Sequence, residues 1–319
     1  MHERINDFLN GMPMMLLSAL LMAAGLMLGA THGLLPAHSG GHGMFFTLRE
    51  PLVGDPVISA GLNALCLIAM GVFLLSINKI FTFVRSLTRL PASVFFMLCL
   101  GVPALTGSLH VGTALSMLFL LSVVSLFSSY GDPHSQRDIF MLTLLCSLGT
   151  MFHYSFLPLG GIIIVGFVIM RAMNLRSVLA AGVGLVTPFW IMLGLGVVTP
   201  AQFRWPELSP VWQQAATPQF IAVAVVIALT LVLAATSAFT IMKYRLQLRD
   251  YNLFFILSAL LLSVGIILDS AHLAAYVPTL VLCTAVLVAQ VFSASRLPLR
   301  HLPVLLLALA CLVSAALAL

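Results

Sequence analysis

The chain has 319 residues, 61% of them hydrophobic and 7% charged, with a formal net charge of +5. Soluble domains carry roughly 25% charged residues, so this composition excludes a soluble globular protein. The basic residues lie scattered between apolar runs and form no stripe, which excludes a nucleic-acid partner and leaves membrane orientation as their meaning.

Charge-free runs of about 17–22 residues match the length of helix that crosses a hydrocarbon core of about 30 Å. The alternation of polar and apolar residues that marks a membrane barrel is missing. The expected fold class is therefore all-α: a polytopic transmembrane helix bundle, one integral membrane domain over 1–319, with no soluble domain. Eleven spans are expected, at 12–31, 57–77, 91–106, 111–128, 139–157, 158–170, 178–199, 218–242, 252–269, 273–291 and 303–319. The first is too long for a signal-peptide apolar region and lacks an A-x-A cleavage site, so it reads as a retained span. The five cysteines fall inside apolar segments without CxxC spacing and read as small core residues.

Between 139 and 170 the sequence permits one long helix or a hairpin broken at LPLGG, where Pro158, Gly160 and Gly161 interrupt. Charge decides between them. With a hairpin, twelve of the fourteen Lys and Arg residues share one side of the membrane and only Arg49 and Arg204 lie opposite. A single helix would scatter them six against eight, which the positive-inside rule gives no reason to expect. The hairpin places the N-terminus in the cytoplasm and the C-terminus outside, and half-spans of this kind are tolerated where protein or a watery cavity shields the broken backbone.

The polar chemistry then gathers on the outer side, in loops 32–56 and 200–217. The first contains HGLLPAHSGGHGMFFTLREPLVGD over 32–55. Met44, Phe45, Phe46 and Leu48 can lie in the headgroup region and hold Arg49 and Glu50 at the membrane surface. A carboxylate there, Glu50 or Asp55, can act as a general base or help hold a divalent cation beside a phosphate. His38 and His42 are four apart, but Ser39, Gly40 and Gly41 between them are poor helix formers, so the spacing does not make a metal pair and no metal site is assigned. The second loop interleaves Arg204 with Phe203, Trp205 and Trp212, placing a bidentate phosphate ligand in an aromatic belt. In the turn LDSAH, Asp269 and His272 sit at the mouth of two spans, where a charge in lipid would cost about 2.5–3.5 kcal/mol and a cavity-facing position is expected instead.

Three stretches carry a resemblance: LPASVFFMLCLGVPALTGS, TALSMLFLLSVVSLFSSYG and RDIFMLTLLCSLGTMFHYSFLPLGGIIIVGFVIMRAMNLRSVLAAGVGLVTPFWIML. Over about 57–195 they resemble the GT-C superfamily of polytopic transferases that use polyprenyl-phosphate sugars. The same region is similar to a family of bacterial multipass inner-membrane proteins of about this length with no assigned activity. The GT-C resemblance implies a catalytic acid in the first outer loop, hence Glu50 or Asp55, and offers His153 where many members carry lysine; together with the outer-loop residues Arg49, Arg204, Asp269 and His272, His153 is expected to bind substrate. The pattern departs from the superfamily in two places. Eighteen residues separate Thr31 from Glu50, and the second outer turn, GSLH, has no acid. The expected function is a glycosyltransferase or lipid-linked glycan handler of the bacterial cytoplasmic membrane, with membrane lipids and a polyprenyl-phosphate sugar as partners. The alternatives are a non-catalytic assembly factor on the same scaffold, a transporter and a histidine-metal oxidase. No cofactor is specified by the sequence.

Overall fold

The computed structural model describes residues 11–33, 41–48, 52–84, 89–132, 134–206, 209–211, 218–242 and 244–295. Among these the protein is helical, with a single isolated antiparallel bridge between His42 and Thr47. In chain order the helices are α1 (Met12–Thr31), α2 (Pro56–Phe81), α3 (Leu90–Gly101), α4 (Pro103–Thr106), α5 (Val111–Ser128) and α6 (Gln136–Phe152). They continue with α7 (Phe156–Ile169), α8 (Leu175–Gly194), α9 (Pro218–Ile241), α10 (Leu246–Leu268) and α11 (Leu273–Ser295). Seven of them, α1, α2, α5, α8, α9, α10 and α11, are long and apolar enough to cross a membrane, whereas α3 and α7 are shorter apolar helices. The expected span 303–319 lies outside the described residues.

Helix α11 is the axis of the bundle. It packs against α3, α4, α5, α9 and α10, and 94% of its most apolar window is buried. Its sequence, LAAYVPTLVLCTAVLVAQVFSAS, is almost wholly apolar, and Ala is among its commonest residues. Small side chains let neighbouring helices approach closely on every face.

Two prolines, Pro103 between α3 and α4 and Pro278 inside α11, remove helical hydrogen bonds in this core, and side chains take up the freed carbonyls. Pro103 has no N–H to give the Cys99 carbonyl, and the Thr106 hydroxyl donates to that oxygen at 2.8 Å. Asn63 of α2 then donates to Thr106 O at 2.5 Å and accepts from the Thr113 hydroxyl at 2.6 Å. Pro278 likewise frees the Ala274 carbonyl, and His110 Nε2 lies 2.7 Å from it. A Cβ at Gly112 would overlap the same carbonyl, so a glycine is needed for α5 to approach α11 there. In an environment without water, such repairs are the condition for a broken helix.

The region 139–170 is a hairpin of α6 and α7, but the break does not fall at Pro158. It falls at 153–155, where His153 is extended (φ −154°). Pro158 sits in the first turn of α7, where a missing N–H costs no helical bond. The glycines serve packing instead: Gly160 faces Cys146, and Gly149 faces the Phe156 ring across the hairpin.

The loops gather at two ends. One end joins 41–48, 52–55, 107–110, 153–155, 195–206, 209–211 and 269–272 through backbone bonds such as Leu52 N to Leu109 O (3.2 Å) and Ser270 N to Ser209 O (2.8 Å). The opposite end joins 82–84, 129–132, 170–174 and 244–245, with Gly131 N bonded to Met170 O at 2.9 Å.

Candidate functional site

The first of these ends carries a cluster of histidines closed by a strap. Residues 41–48 form a narrow hairpin, with Gly43 N to Phe46 O at 2.8 Å and Leu48 N to Gly41 O at 3.1 Å. Its backbone docks on the end of α6: Met44 N donates to Thr150 O (3.2 Å) and Phe46 N to Met151 O (3.1 Å). Tyr154 N donates to His42 O (3.4 Å), and Arg204 N to Met44 O (3.0 Å). The glycines of HSGGHG acquire a reason here. A Cβ at Gly43 would overlap the Met151 carbonyl, and one at Gly41 would overlap the His153 ring. Only a bare backbone comes this close.

Beneath the strap, Asp269 ends α10 and His272 closes the 3-10 turn Ser270–His272. The His272 Nδ1–H donates to the Asp269 carboxylate at 2.9 and 3.1 Å from its two oxygens. Tyr276, one turn into α11, donates its hydroxyl to Asp269 Oδ2 at 3.2 Å. The turn is pinned by Ser270, whose N–H and hydroxyl both donate to Ser209 O. The His153 ring stands edge-on to His272, with centroids 5.1 Å apart, and His42 of the strap lies 6.4 Å from His272 and 5.8 Å from Tyr154. Tyr154 in turn donates its hydroxyl to Arg204 O.

Access is graded across this group. His153 is buried, while the His272 side chain keeps 16% of its surface. His153 Nδ1 accepts from Ser155 N at 3.2 Å, which fixes the proton of the neutral ring on Nε2. Burial pushes the His153 pKa down to about 4, the nearby His272 adds to the shift, and Asp269 partly opposes it. A neutral imidazole thus lies beside a carboxylate-oriented one. The carboxylate holds the ring of His272 through Nδ1 and turns Nε2 away from itself, the arrangement that makes an imidazole a general base.

The structure brings together His153, Asp269 and His272 of the residues expected from sequence. Asp55 does something else: its carboxylate caps α2, accepting from Val57 N at 2.9 Å and Ile58 N at 3.3 Å. Arg49, Glu50 and His38 lie outside the described residues, as does Trp212. Arg204 is exposed and sits on a surface groove of about 390 Å3 lined by Phe45, Phe46, Phe203, Val197 and Ala201. Phe45 and Phe46 of the strap line this groove, while His42 of the strap faces His272. His32 is exposed at the end of α1. Among the described residues no three His, Cys, Asp or Glu side chains converge as a metal site.

Tyr276, Tyr154 and the strap histidine His42 complete the cluster, and the sequence reading passed over both tyrosines. Tyr276 was within reach, since it lies four residues after His272 on a helix and so on the same face. Tyr154 gave no such signal. The chain matches no protein-family profile, no curated protein and no solved structure.

Proposed function

We propose that this multipass membrane protein handles a lipid-linked glycan carrying a polyprenyl phosphate, on a GT-C-like scaffold in the bacterial cytoplasmic membrane. In this reading the histidine end faces outward. The charge distribution supports that orientation: among the described residues Lys79, Arg89, Arg137, Arg171, Arg176, Arg245 and Arg249 belong to the opposite end, and Arg204 alone to the histidine end.

The observation that carries the reading is that one strap contributes Phe45 and Phe46 to an aromatic groove with Arg204 on its lining and His42 to the neighbourhood of an oriented Asp–His pair. Phe45, Phe46 and Phe203 suit an isoprenoid chain, and the Arg204 guanidinium can donate two parallel hydrogen bonds to its phosphate. His272, oriented by Asp269, is the group to accept a proton from an acceptor hydroxyl. The GT-C resemblance assigns that role to Glu50, so Glu50→Gln and His272→Gln compared in a complementation assay separate the two bases. The transporter alternative has less support, because the buried acids among the described residues, Asp250 and Asp269, sit near helix ends and not midway along a span.

The binding test uses native mass spectrometry with a long-chain polyprenyl phosphate and the matching polyprenol. The expected result is preference for the phosphate, reduced roughly 10- to 100-fold by Arg204→Ala, as fits a charge-assisted hydrogen bond of about 1.5–3 kcal/mol. Arg204→Lys is expected to lose less, and His272→Gln to bind as the wild type does. Equal binding of phosphate and alcohol, or an unchanged Arg204→Ala, overturns the reading and leaves the non-catalytic assembly factor.

A further inference from the structure

We infer that the strap 41–48 is an acid-released lid over the Asp269–His272 pair, latched by the contact of Gly41 with the His153 ring. The inference stands on the cluster itself and does not need the lipid reading.

The lid is weakly held. Its docking combines backbone bonds to Thr150, Met151, Tyr154 and Arg204 with ring contacts of Phe45 to Phe189 and Phe203 and of Phe46 to Phe152, and His42, Met44, Phe45, Phe46 and Leu48 are only half-buried. Segments with few buried apolar contacts open at low free energy without unfolding the rest.

What it covers is sensitive to protons. His42 faces the cluster from the strap, and His153 and Tyr154 face it from the turn between α6 and α7. Asp269, His272 and Tyr276 face it from α10 and α11, and the field of His110, ahead of α5, also reaches His153. Four imidazoles are therefore grouped around a single carboxylate, which already accepts from His272 and Tyr276. A proton added to His153 must go to Nδ1, where it destroys the bond from Ser155 N. It also creates a cation 5.1 Å from the His272 ring, with Gly41 excluding water from above. Lifting the strap lets water reach that cation.

The direction follows by linkage. With the strap docked, burial holds the His153 pKa down to about 4, below the ordinary 6.5, and lifting the strap from the ring returns part of that difference. The docked strap is at full strength above pH 6.5, weakens as pH falls through 6.5, and levels off below about 4. The docking constant falls by up to roughly two orders of magnitude across that window, the limit reached when the open ring is fully hydrated. Acidification thus uncovers His272.

Hydrogen exchange of the full-length protein in detergent reads this constant directly, with the amides of 43–46 normalised to their intrinsic rates at each pH. Strap protection is expected to drop by up to about 100-fold between pH 7.5 and 4.5, while amides of α11 keep theirs. His153→Asn retains an acceptor for Ser155 N but does not titrate, and its drop is expected to stay below about tenfold. Gly41→Ala is expected to leave the strap unprotected at both pH values with α11 intact. A wild-type drop of less than about tenfold, or a His153→Asn drop equal to the wild type, overturns the inference whatever Gly41→Ala does.

Discussion

Two buried aspartates stand at opposite ends of the bundle, and each accepts a tyrosine hydroxyl. Asp250 takes Tyr130 at 2.9 Å and Asp269 takes Tyr276 at 3.2 Å. The difference lies in the basic partner. Asp250 faces Arg171 at 3.6 Å and Arg249 at 4.0 Å, whereas Asp269 holds His272 at 2.9 Å. A guanidinium keeps its charge at any physiological pH, while an imidazole changes its charge between pH 5 and 8. The same acid and phenol therefore make a constant tie between α5, α7 and α10 at one end and a proton-responsive group at the other.

The largest effect that can break this comparison is Asp250→Ala. It strips Tyr130 of its acceptor and leaves two arginines without an anion. Arg171 and Arg249 are partly exposed, so water softens the loss to about 2 kcal/mol, against the 3–5 expected for a fully buried pair. Thermal unfolding in detergent should show a shift of several degrees that is the same at pH 7.5 and pH 5.5. A shift confined to one pH would mean that the arginine end is no constant tie.

Asp269→Asn comes next, with an expected cost of about 1 kcal/mol, because an oxygen remains for Tyr276 while the charge opposite His272 is gone. Asp269 is the one group that draws the His153 pKa upward. Without it His153 resists protonation further when docked, and strap amide protection should keep falling below about pH 4, where that of the wild type levels off. A plateau at the wild-type pH would place the proton response elsewhere.

The smallest effect is Tyr130→Phe, about 0.5–1 kcal/mol, since the ring is partly exposed. Burial and the neighbouring Asp250 hold the Tyr130 phenol above its usual range. The unfolded chain loses this proton first, so the stabilisation is present below pH 10 and disappears as pH rises past it. A spectrophotometric titration of the wild type and of Tyr130→Phe should differ by one tyrosine that titrates above the usual range; a difference that titrates at the ordinary phenol pH of about 10 would mean that the phenol is not held by Asp250.

The sites differed in how far sequence reached them. Asp269 and His272 are three residues apart in a turn, so their pairing was readable locally. His153 and His42 come from distant parts of the chain, and no periodicity links them to His272. The glycines of HSGGHG looked like spacers in a loop, yet Gly41 and Gly43 are where two backbones and a ring come into contact. Asp55 looked like a surface carboxylate for catalysis, but DPVI is also a helix start with Pro at the first position, and the capping role is the one observed. At 139–170 charge bias gave the hairpin correctly, while the proline misplaced the turn because proline disfavours the interior of a helix and is tolerated in its first turn.

The sequence by itself determined that the chain is a bundle of apolar helices, and it placed most of them within a few residues, as at 111–128. Burial of apolar surface and internal backbone bonding are local demands, and a run of apolar residues answers both. The tertiary structure alone decided that α11 is the axis, that Thr106 and His110 take up carbonyls freed by Pro103 and Pro278, and that a glycine strap seals His153 against His272. Those outcomes depend on which helix faces which, and inside a membrane that is set by close packing and by the pairing of buried polar groups, neither of which leaves a periodic mark in the sequence.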